Sequence, residues 1–231
     1  MSHTGSARET PFCWYNKTLK EVVMKNVHVV DHPFAIDSLT HLRDKKASVQ
    51  SFRHHSDKIC QLLFAEAIKG LDFKQVEIET PLASISSRKL ADEIIVVPVL
   101  RAGLAMLFGA LTLLPKSKVG FVGMERDEKT ALAHEYYWKL PPITKNSVVI
   151  ITDPMLATGG SIAHLLERVE KEQPKEMRVV SVIAAPEGIE LIQKRFPQVE
   201  IFVGQVDDHL NDQKYIVPGL GDYGDRYFGT E

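Results

Sequence analysis

The sequence has little cysteine, little net charge and no long apolar run. Its 231 residues include two cysteines, Cys13 and Cys60, and neither lies in a Cys-x-x-Cys motif. This pattern argues against a disulfide framework or a cysteine zinc site and favours a reducing compartment. Lys and Arg number 28 against 30 Asp and Glu, so the net charge is −2. Such a balance gives no general attraction for nucleic acid or acidic membranes.

Patterns typical of membrane insertion or metal binding are also missing. The longest apolar stretch, Ala102 to Leu114, is too short to span a bilayer, and residues 1–10 lack the apolar core of a secretory signal. Among the nine histidines, His54 and His55 are adjacent rather than four residues apart. We therefore predict a cytoplasmic protein without metal-ligating side chains, and with neither nucleic acid nor membrane as a partner.

One segment predicts a phosphate site. Val148 to Thr152 is an apolar run without alternation, which is typical of a parallel strand covered on both faces. It is followed by Asp153, by the turn Thr158-Gly159-Gly160-Ser161 and by a helical pattern. At the carboxyl end of a parallel strand, the N–H groups of the next helix bind phosphate, and glycines let the backbone approach it.

Asp153 narrows the choice of phosphate-containing ligand, because a carboxylate beside a phosphate site accepts hydrogen bonds from ribose hydroxyls. Phosphate together with a polyol indicates phosphoribose. The Walker loop and the dinucleotide fingerprint, which are the competing phosphate motifs, are both absent. A tight strand-to-helix turn without a ligand is the alternative.

Strand and helix patterns alternate along the chain. This alternation predicts an α/β fold with a doubly wound, mostly parallel sheet of about five strands, in a single domain spanning residues 1–231. Its core is expected at about 50–205, with a small hood from residues 1–45 and 206–231. The predicted strands are Glu93–Val99, Val119–Met124, Val148–Thr152, Arg178–Ala184 and Glu200–Val203. Two segments are predicted to be irregular: the charged residues 127–146 and the Gly-rich residues 219–229.

Two arginines follow predicted strands at the edge where ligands bind. Arg101 comes at the end of the first strand, where a charge without an anionic partner is costly, so it predicts an anion contact. Arg126 follows the second strand. Its alternative role is an exposed loop arginine paired with Asp127 or Glu128.

Four segments in the same order resemble the uracil phosphoribosyltransferases. Asp153 to Ser161 matches the family's Asp-Pro-Met-Leu-Ala-Thr-Gly-Gly-Ser loop residue for residue. Val97 to Gly103, Gly123 to Thr130 and Tyr215 to Asp222 resemble its Pro-Ile-Leu-Arg-Ala-Gly segment, its Arg-Asp/Asn-Glu-x-Thr segment and its uracil loop. The last segment makes chemical sense as a pyrimidine pocket, since backbone groups on a Pro/Gly loop can read uracil; an ordinary turn is the alternative.

The resemblance implies a reaction in which uracil and 5-phospho-α-D-ribose 1-diphosphate (PRPP) give UMP and diphosphate. It implies catalytic roles for Arg101, Asp153 and Asp222. The implied PRPP contacts are Arg101, Arg126, Asp153, Pro154, Met155, Leu156, Ala157, Thr158, Gly159, Gly160, Ser161 and Asp222. The implied uracil contacts are Ile216, Gly221, Asp222 and Tyr223.

The resemblance also implies Mg²⁺ held mainly through the PRPP diphosphate, a flexible loop at 127–146 that closes over the site, and a homo-oligomer, either dimer or tetramer. Some members respond to GTP, which is a possible effector here. The chain departs from the family pattern at Glu125, Ala131 and Ala133 in the loop and at Gln50-Ser51 in the amino-terminal helix. A non-catalytic or regulatory protein on the same fold, and a phosphoribosyltransferase for another base, are the alternatives.

Overall fold

The computed structural model describes residues 26–126 and 133–230. The helices in these ranges are α1 Pro33–Arg43, α2 Val49–Ala67, α3 Leu104–Leu113, α4 Gly160–Glu170, α5 Pro186–Arg195 and α6 Tyr223–Phe228. The strands are β1 Val27–Val29, β2 Phe73–Glu79, β3 Ser84–Leu90, β4 Glu93–Leu100, β5 Lys118–Val119, β6 Phe121–Arg126, β7 Ala133–Lys139, β8 Ser147–Thr152, β9 Met155–Leu156, β10 Glu176–Ala184, β11 Glu200–Val206, β12 His209–Leu210 and β13 Ile216–Val217. No helix in the described ranges is both long and apolar enough to cross a membrane.

The main sheet confirms the predicted α/β class. Its strands run in the order β1-β11-β10-β8-β4-β6-β7, and the pairs are parallel except β6 with β7. All five predicted strands are present. Two edge strands widen the sheet: β7, and β1, which pairs Val27 with Ile201 although its residues had been assigned to the hood.

Helices cover both faces of this sheet, as a doubly wound fold requires. Along β8 the side chains alternate between two cores: Val148 and Ile150 pack in the core beneath α2 and α3, and Val149 and Ile151 pack in the core beneath α4 and α5. Every residue of β8 is buried. The unbroken apolar run arises because both alternating faces of the strand are covered.

Two segments predicted to be irregular contain regular structure. Within residues 127–146, β7 pairs with β6 as an antiparallel hairpin, because the β-forming residues Tyr136, Tyr137 and Trp138 outweigh the flanking charge. Residues 127–132 lie outside the described part of the chain. In the Gly-rich segment 219–229, Asp222 caps α6, so the prediction of a loop there was wrong for Tyr223–Phe228.

The carboxyl-terminal segment and α1 contact each other, as a hood would require. Arg226 donates to the carbonyl of Asp44 at 2.6 Å, and also to that of Leu42. The sequence analysis did not anticipate α1 or the separate β2–β3 hairpin. The extent of the hood and the single-domain description stay predictions.

Candidate active site

The candidate site lies where the sheet reverses its winding. From β4 the chain continues to β6 on one side, and from β8 it continues to β10 on the other, so the connections after these neighbouring strands diverge. A crevice opens at the carboxyl ends of strands at such a point, which is where ligands bind in open α/β sheets. Arg101 directly follows β4 and Asp153 directly follows β8.

The turn after β4 is pressed against the end of β8. A Cβ on Gly103 would lie 2.4 Å from the carbonyl oxygen of Thr152 and 2.6 Å from the backbone nitrogen of Val99. Only glycine allows this approach. The two ends are therefore held together through their backbones.

The segment after β8, predicted to be a phosphate loop, lines a pocket. A pocket of about 90 Å³ is lined by Asp153 and by residues 155–162. Gly159 adopts a φ of +77°, after which α4 begins, and the N–H groups of its first turn have no intrahelical acceptor. The hydroxyl of Thr158 lies 3.4 Å from the nitrogen of Gly160. The result is a concave set of backbone donors at a positive helix end, which suits an anion.

Neighbouring backbone fixes the shape of this loop. The N–H groups of Val182 and Ile183 donate to the carbonyl of Pro154 at 3.0 and 3.1 Å, and β9 pairs with the end of β10. On the other side α5 approaches so closely that a Cβ on Gly188 would lie 2.4 Å from the carbonyl oxygen of Ala157. The loop is therefore clamped between a strand and a helix.

Asp153 is partly buried at the floor of the site. Burial, and to a smaller extent the charge of Asp222, raise the pKa of Asp153 to about 6, although the N–H of Met155 donates to its Oδ1 at 3.2 Å. Two carboxylates thus influence each other across the site. Such a pair favours a ligand that brings hydroxyl donors or a cation.

Arg101 has a partner that the sequence analysis missed. Its Nη2 donates to Oδ1 of Asp225 at 3.0 Å, while 63% of the arginine side chain stays exposed. A hydrogen bond from Thr230, and then Arg101, hold the pKa of Asp225 below its usual range. Arg126 ends β6, the neighbour of β4, and its side chain lies outside the described part.

The predicted uracil loop reaches the same edge. Gly219 and Gly221 have φ values of +62° and +83°, and the Oδ1 of Asp222 accepts the N–H of Asp225 at 2.8 Å. A Cβ on Gly224 would lie 3.7 Å from Ala102, the residue after Arg101. The first turn of α6, which follows the loop, is therefore packed against the turn after β4.

Two of the predicted uracil contacts have buried side chains. Ile216 is 5% exposed and Tyr223 is 1% exposed. The Tyr223 hydroxyl donates to Oγ of Ser56 at 2.7 Å, and its ring lies edge-on to Phe52 at 5.0 Å. These side chains anchor the loop in the core, so contact with a ligand is left to their backbone groups.

The β6–β7 hairpin is attached to α4, the helix whose first turn lines the pocket. Glu135 of β7 accepts hydrogen bonds from Arg168 at 2.5 Å and from His164 at 3.3 Å, and the guanidinium of Arg168 lies 3.6 Å from the centre of the Trp138 ring. Burial raises the pKa of Glu135, but hydrogen bonds from Arg168 and His164 outweigh it and hold that pKa below its usual range. The hairpin is therefore fixed at one side of the site.

One group of side chains in the described ranges has potential metal ligands close together, although the sequence analysis expected none. Ligand atoms of Asp37, His41 and His55 lie within 4.8 Å of one another. The two imidazoles are stacked at 3.9 Å with their planes only 6° apart. In-plane lone pairs of parallel rings do not converge on one point, so this group is not a preformed chelate.

Comparisons with known proteins agree with this architecture. The family model described as uracil phosphoribosyltransferase matches residues 29–230. The uracil phosphoribosyltransferase of Lacticaseibacillus paracasei is 47% identical over 204 residues, or 88% of this chain and 98% of that protein. That of Bacillus cereus is 42% identical over 209 residues, or 90% of this chain and 100% of that protein. The solved structure of the AQ2163 protein from Aquifex aeolicus is similar with a TM-score of 0.85 and 40% identity, covering 89% of this chain and 99% of that chain.

Proposed function

The chain belongs to the uracil phosphoribosyltransferase family, and we propose that it transfers the phosphoribosyl group of PRPP to uracil, giving UMP and diphosphate. The observation that carries the proposal is the clamped loop 153–161 at the point where the sheet reverses its winding. Because the reaction would recover a free pyrimidine base as a nucleotide, we assign it to pyrimidine salvage.

The loop after β8 supplies the phosphoribose site. Backbone N–H groups at the start of α4, together with the hydroxyls of Thr158 and Ser161, suit the 5-phosphate. Asp153, at the floor of the same pocket, suits the ribose hydroxyls. In its ionised form Asp153 is a pure acceptor, which matches hydroxyl donors.

Arg101 and Asp222 are the charged side chains that suit the part of the donor that carries the diphosphate. The Arg101 guanidinium is largely exposed and supplies the cation that a departing diphosphate requires. The donor set also suits Mg²⁺, because Asp153 and Asp222 supply oxygen ligands near enough for their charges to interact. The ion would be held mainly by diphosphate and water beside these carboxylates, and when bound it neutralises the leaving group.

Uracil is recognised by the backbone of residues 216–223. Its alternating carbonyl and N–H groups complement peptide groups, and Gly221, which is exposed and has a positive φ, lets the base approach its backbone without a side chain between them. The side chains of Ile216 and Tyr223 are buried in the core and should limit the movement of the loop. Rigidity lowers the ordering cost of binding the base.

Catalysis then consists of alignment and charge stabilisation. The family chemistry passes through an oxocarbenium-like transition state, so both substrates must be held in line and water must be excluded. The hairpin β6–β7 stands beside α4 and is suited to cover the site when both substrates are bound.

Further features of the family are proposed with it. Association into a dimer or tetramer is supported by the β2–β3 hairpin, which exposes Phe73, Leu82 and Ile85, with Leu82 96% exposed. A cytoplasmic location and a response to GTP stay predictions.

One assay tests the proposal. Formation of the nucleotide from PRPP is measured with uracil, cytosine, orotate and hypoxanthine in the presence of Mg²⁺. We expect UMP from uracil and little product from the other bases. Preference for another base would reassign the pocket, and the absence of any nucleotide product would favour the non-catalytic alternative.

A further inference from the structure

A buried carboxylate lies just outside the candidate site and is not among the predicted site residues. Asp207 directly follows β11, and its side chain is fully shielded from solvent. Its N–H donates to the carbonyl of Ala184, the last residue of β10, at 2.8 Å. A carboxylate in such a place requires strong hydrogen-bond donors. Asp207 is thus held rigidly at the carboxyl edge of the sheet.

Donors to the Asp207 carboxylate include Arg43 and the N–H of Gly219, which lie far apart in the sequence. Arg43, the last residue of α1, donates from Nη1 to Oδ2 of Asp207 at 3.0 Å and from Nη2 to Oδ1, so the pair is bidentate. Oδ2 also accepts the N–H of Gly219 at 2.9 Å, and Nη1 of Arg43 donates to the Gly219 carbonyl at 2.6 Å. The ion pair therefore holds both peptide groups of Gly219.

Gly219 is a point where the orientation of the uracil loop is decided. With φ at +62°, its position allows no side chain, since a Cβ would lie 2.2 Å from the carbonyl oxygen of Ile216. The chain turns back on itself here, two residues before Gly221. A small rotation of the Gly219 peptide groups would reorient the backbone groups of Leu220 and Gly221, whereas Asp222 is held by its own hydrogen bond to the N–H of Asp225.

We propose that Arg43 and Asp207 are positioning residues for the pyrimidine base. By fixing the peptide planes on both sides of Gly219, they present the following backbone groups in the orientation that uracil requires. This inference rests on the proposed function, because it assigns base recognition to residues 216–223. Neither residue needs to touch uracil.

The test is the Arg43→Lys variant. Lysine keeps the positive charge, but one ammonium cannot reproduce a planar fork that serves both carboxylate oxygens and the Gly219 carbonyl. The matched control is Arg178→Lys. Like Arg43, Arg178 donates to a carboxylate, that of Glu176, and to backbone carbonyls, those of Ala67 and Lys69, but it lies near the amino end of β10.

Steady-state UMP formation gives KM for uracil and kcat, and titration with PRPP and Mg²⁺ gives Kd for the donor. In Arg43→Lys we expect KM for uracil to rise about fivefold or more while Kd for PRPP stays within about twofold. In Arg178→Lys both constants should stay near those of the parent enzyme, whatever happens to its Tm.

The inference is overturned if Arg43→Lys leaves KM for uracil unchanged, or if KM for uracil and Kd for PRPP rise together, as a general loss of structure would produce. If Arg43→Lys does not fold, Asp207→Asn takes its place with the same constants and the same reading, since an amide cannot supply every acceptor of the carboxylate. Conversion of uracil by the parent enzyme reports on the proposed function separately, so it can stand while this inference fails.

Discussion

The donor loop, residues 153–161, and the base loop, residues 216–223, meet at one edge of the sheet but are held in different ways. The donor loop is fixed by backbone contacts with its neighbours β10 and α5, and by glycines that allow those contacts. The base loop is fixed by side chains from distant parts of the chain: Arg43, Asp207 and Ser56.

This difference determines how each loop can be damaged. A loop shaped by close backbone approach should fail when a Cβ is added where none fits. A loop held by remote side chains should fail when one of those anchors is shortened, even though the loop's own backbone is unchanged. The variants at Tyr223 and Gly159 act on these two kinds of support, and those at Asp153 and Glu135 act on the carboxylate of the donor loop and on the neighbouring hairpin.

Removing the loop side chain that reaches the distant residue Ser56 should have the largest effect. In Tyr223→Ala the loss of a fully buried aromatic ring should lower the free energy of unfolding by about 3–5 kcal/mol. Tyr223→Phe keeps the ring and loses only the bond to Ser56, at a cost of about 1 kcal/mol. Urea unfolding of both variants checks this. Equal stability of Tyr223→Ala and the parent would mean that Tyr223 is not an anchor.

Adding a side chain to the donor loop should come next. In Gly159→Val a β-branched residue would have to adopt a φ of +77°, with its Cβ 2.9 Å from the carbonyl oxygen of Gly188. We expect PRPP affinity to fall by about a hundredfold, or about 2.7 kcal/mol. At Gly160 an added Cβ would meet only the Thr158 hydroxyl at 3.7 Å, so Gly160→Ala should keep the parent's Tm. A Gly159→Val variant that binds PRPP normally would contradict the backbone account.

Replacing the carboxylate of Asp153 in the donor loop should lower turnover but raise stability at neutral pH. We expect Asp153→Asn to lose at least about tenfold in turnover, equivalent to about 1.4 kcal/mol. Near-parent kinetics would remove the role of Asp153 in ribose binding.

The stability of Asp153→Asn follows from the pKa of Asp153, about 6 in the folded protein against 3.8 for the unperturbed group. Between these two pKa values the folded state binds more protons than the unfolded state, so the parent loses stability as the pH rises from about 4 to 6. Above about pH 6, Asp153→Asn should be more stable than the parent by about 1–2 kcal/mol. Thermal unfolding at pH 4 and pH 7.5 checks this, and a difference that widens toward pH 4 would contradict it.

Loosening the hairpin should have the smallest effect. Glu135→Gln weakens a partly exposed ion pair with Arg168, worth about 1 kcal/mol or less, so we expect faster hydrogen exchange across β7 and a decrease in kcat of about twofold. Glu167→Gln weakens an ion pair between α4 and Arg195 of α5 and serves as the control.

In the parent, residues 127–146 should gain protection from hydrogen exchange when PRPP and a uracil analogue bind. Unchanged exchange in this segment would contradict a covering role.

The contrast between contacts with neighbours in sequence and contacts with distant residues also explains what could be predicted from the sequence. The apolar run of β8, the helix of α4 and the turn between them are set by neighbours in sequence, so the donor loop and the parallel sheet were predictable. The positions of Arg101 and Asp153 at one edge followed from the rule for parallel strands.

Features set by distant residues were not predictable in this way. The pairing of β7 with β6, the burial of Tyr223 against Ser56, and the bond between Arg101 and Asp225 each depend on residues brought together only by the fold. The Gly-rich composition around α6 also concealed a helix whose start depends on the Asp222 cap.

The bond between Arg101 and Asp225 has a consequence for the order of events in the proposed reaction. Before the donor arrives, Arg101 already has a counterion, so binding of diphosphate is an exchange of one anion for another rather than the neutralisation of a bare charge. The same exchange runs backwards when the product leaves, because Asp225 can recover the guanidinium as diphosphate departs. In the proposed reaction, a counterion on α6 therefore lowers the affinity of Arg101 for PRPP and for diphosphate alike. The same arginine can then stabilise the departing diphosphate without making its release slow.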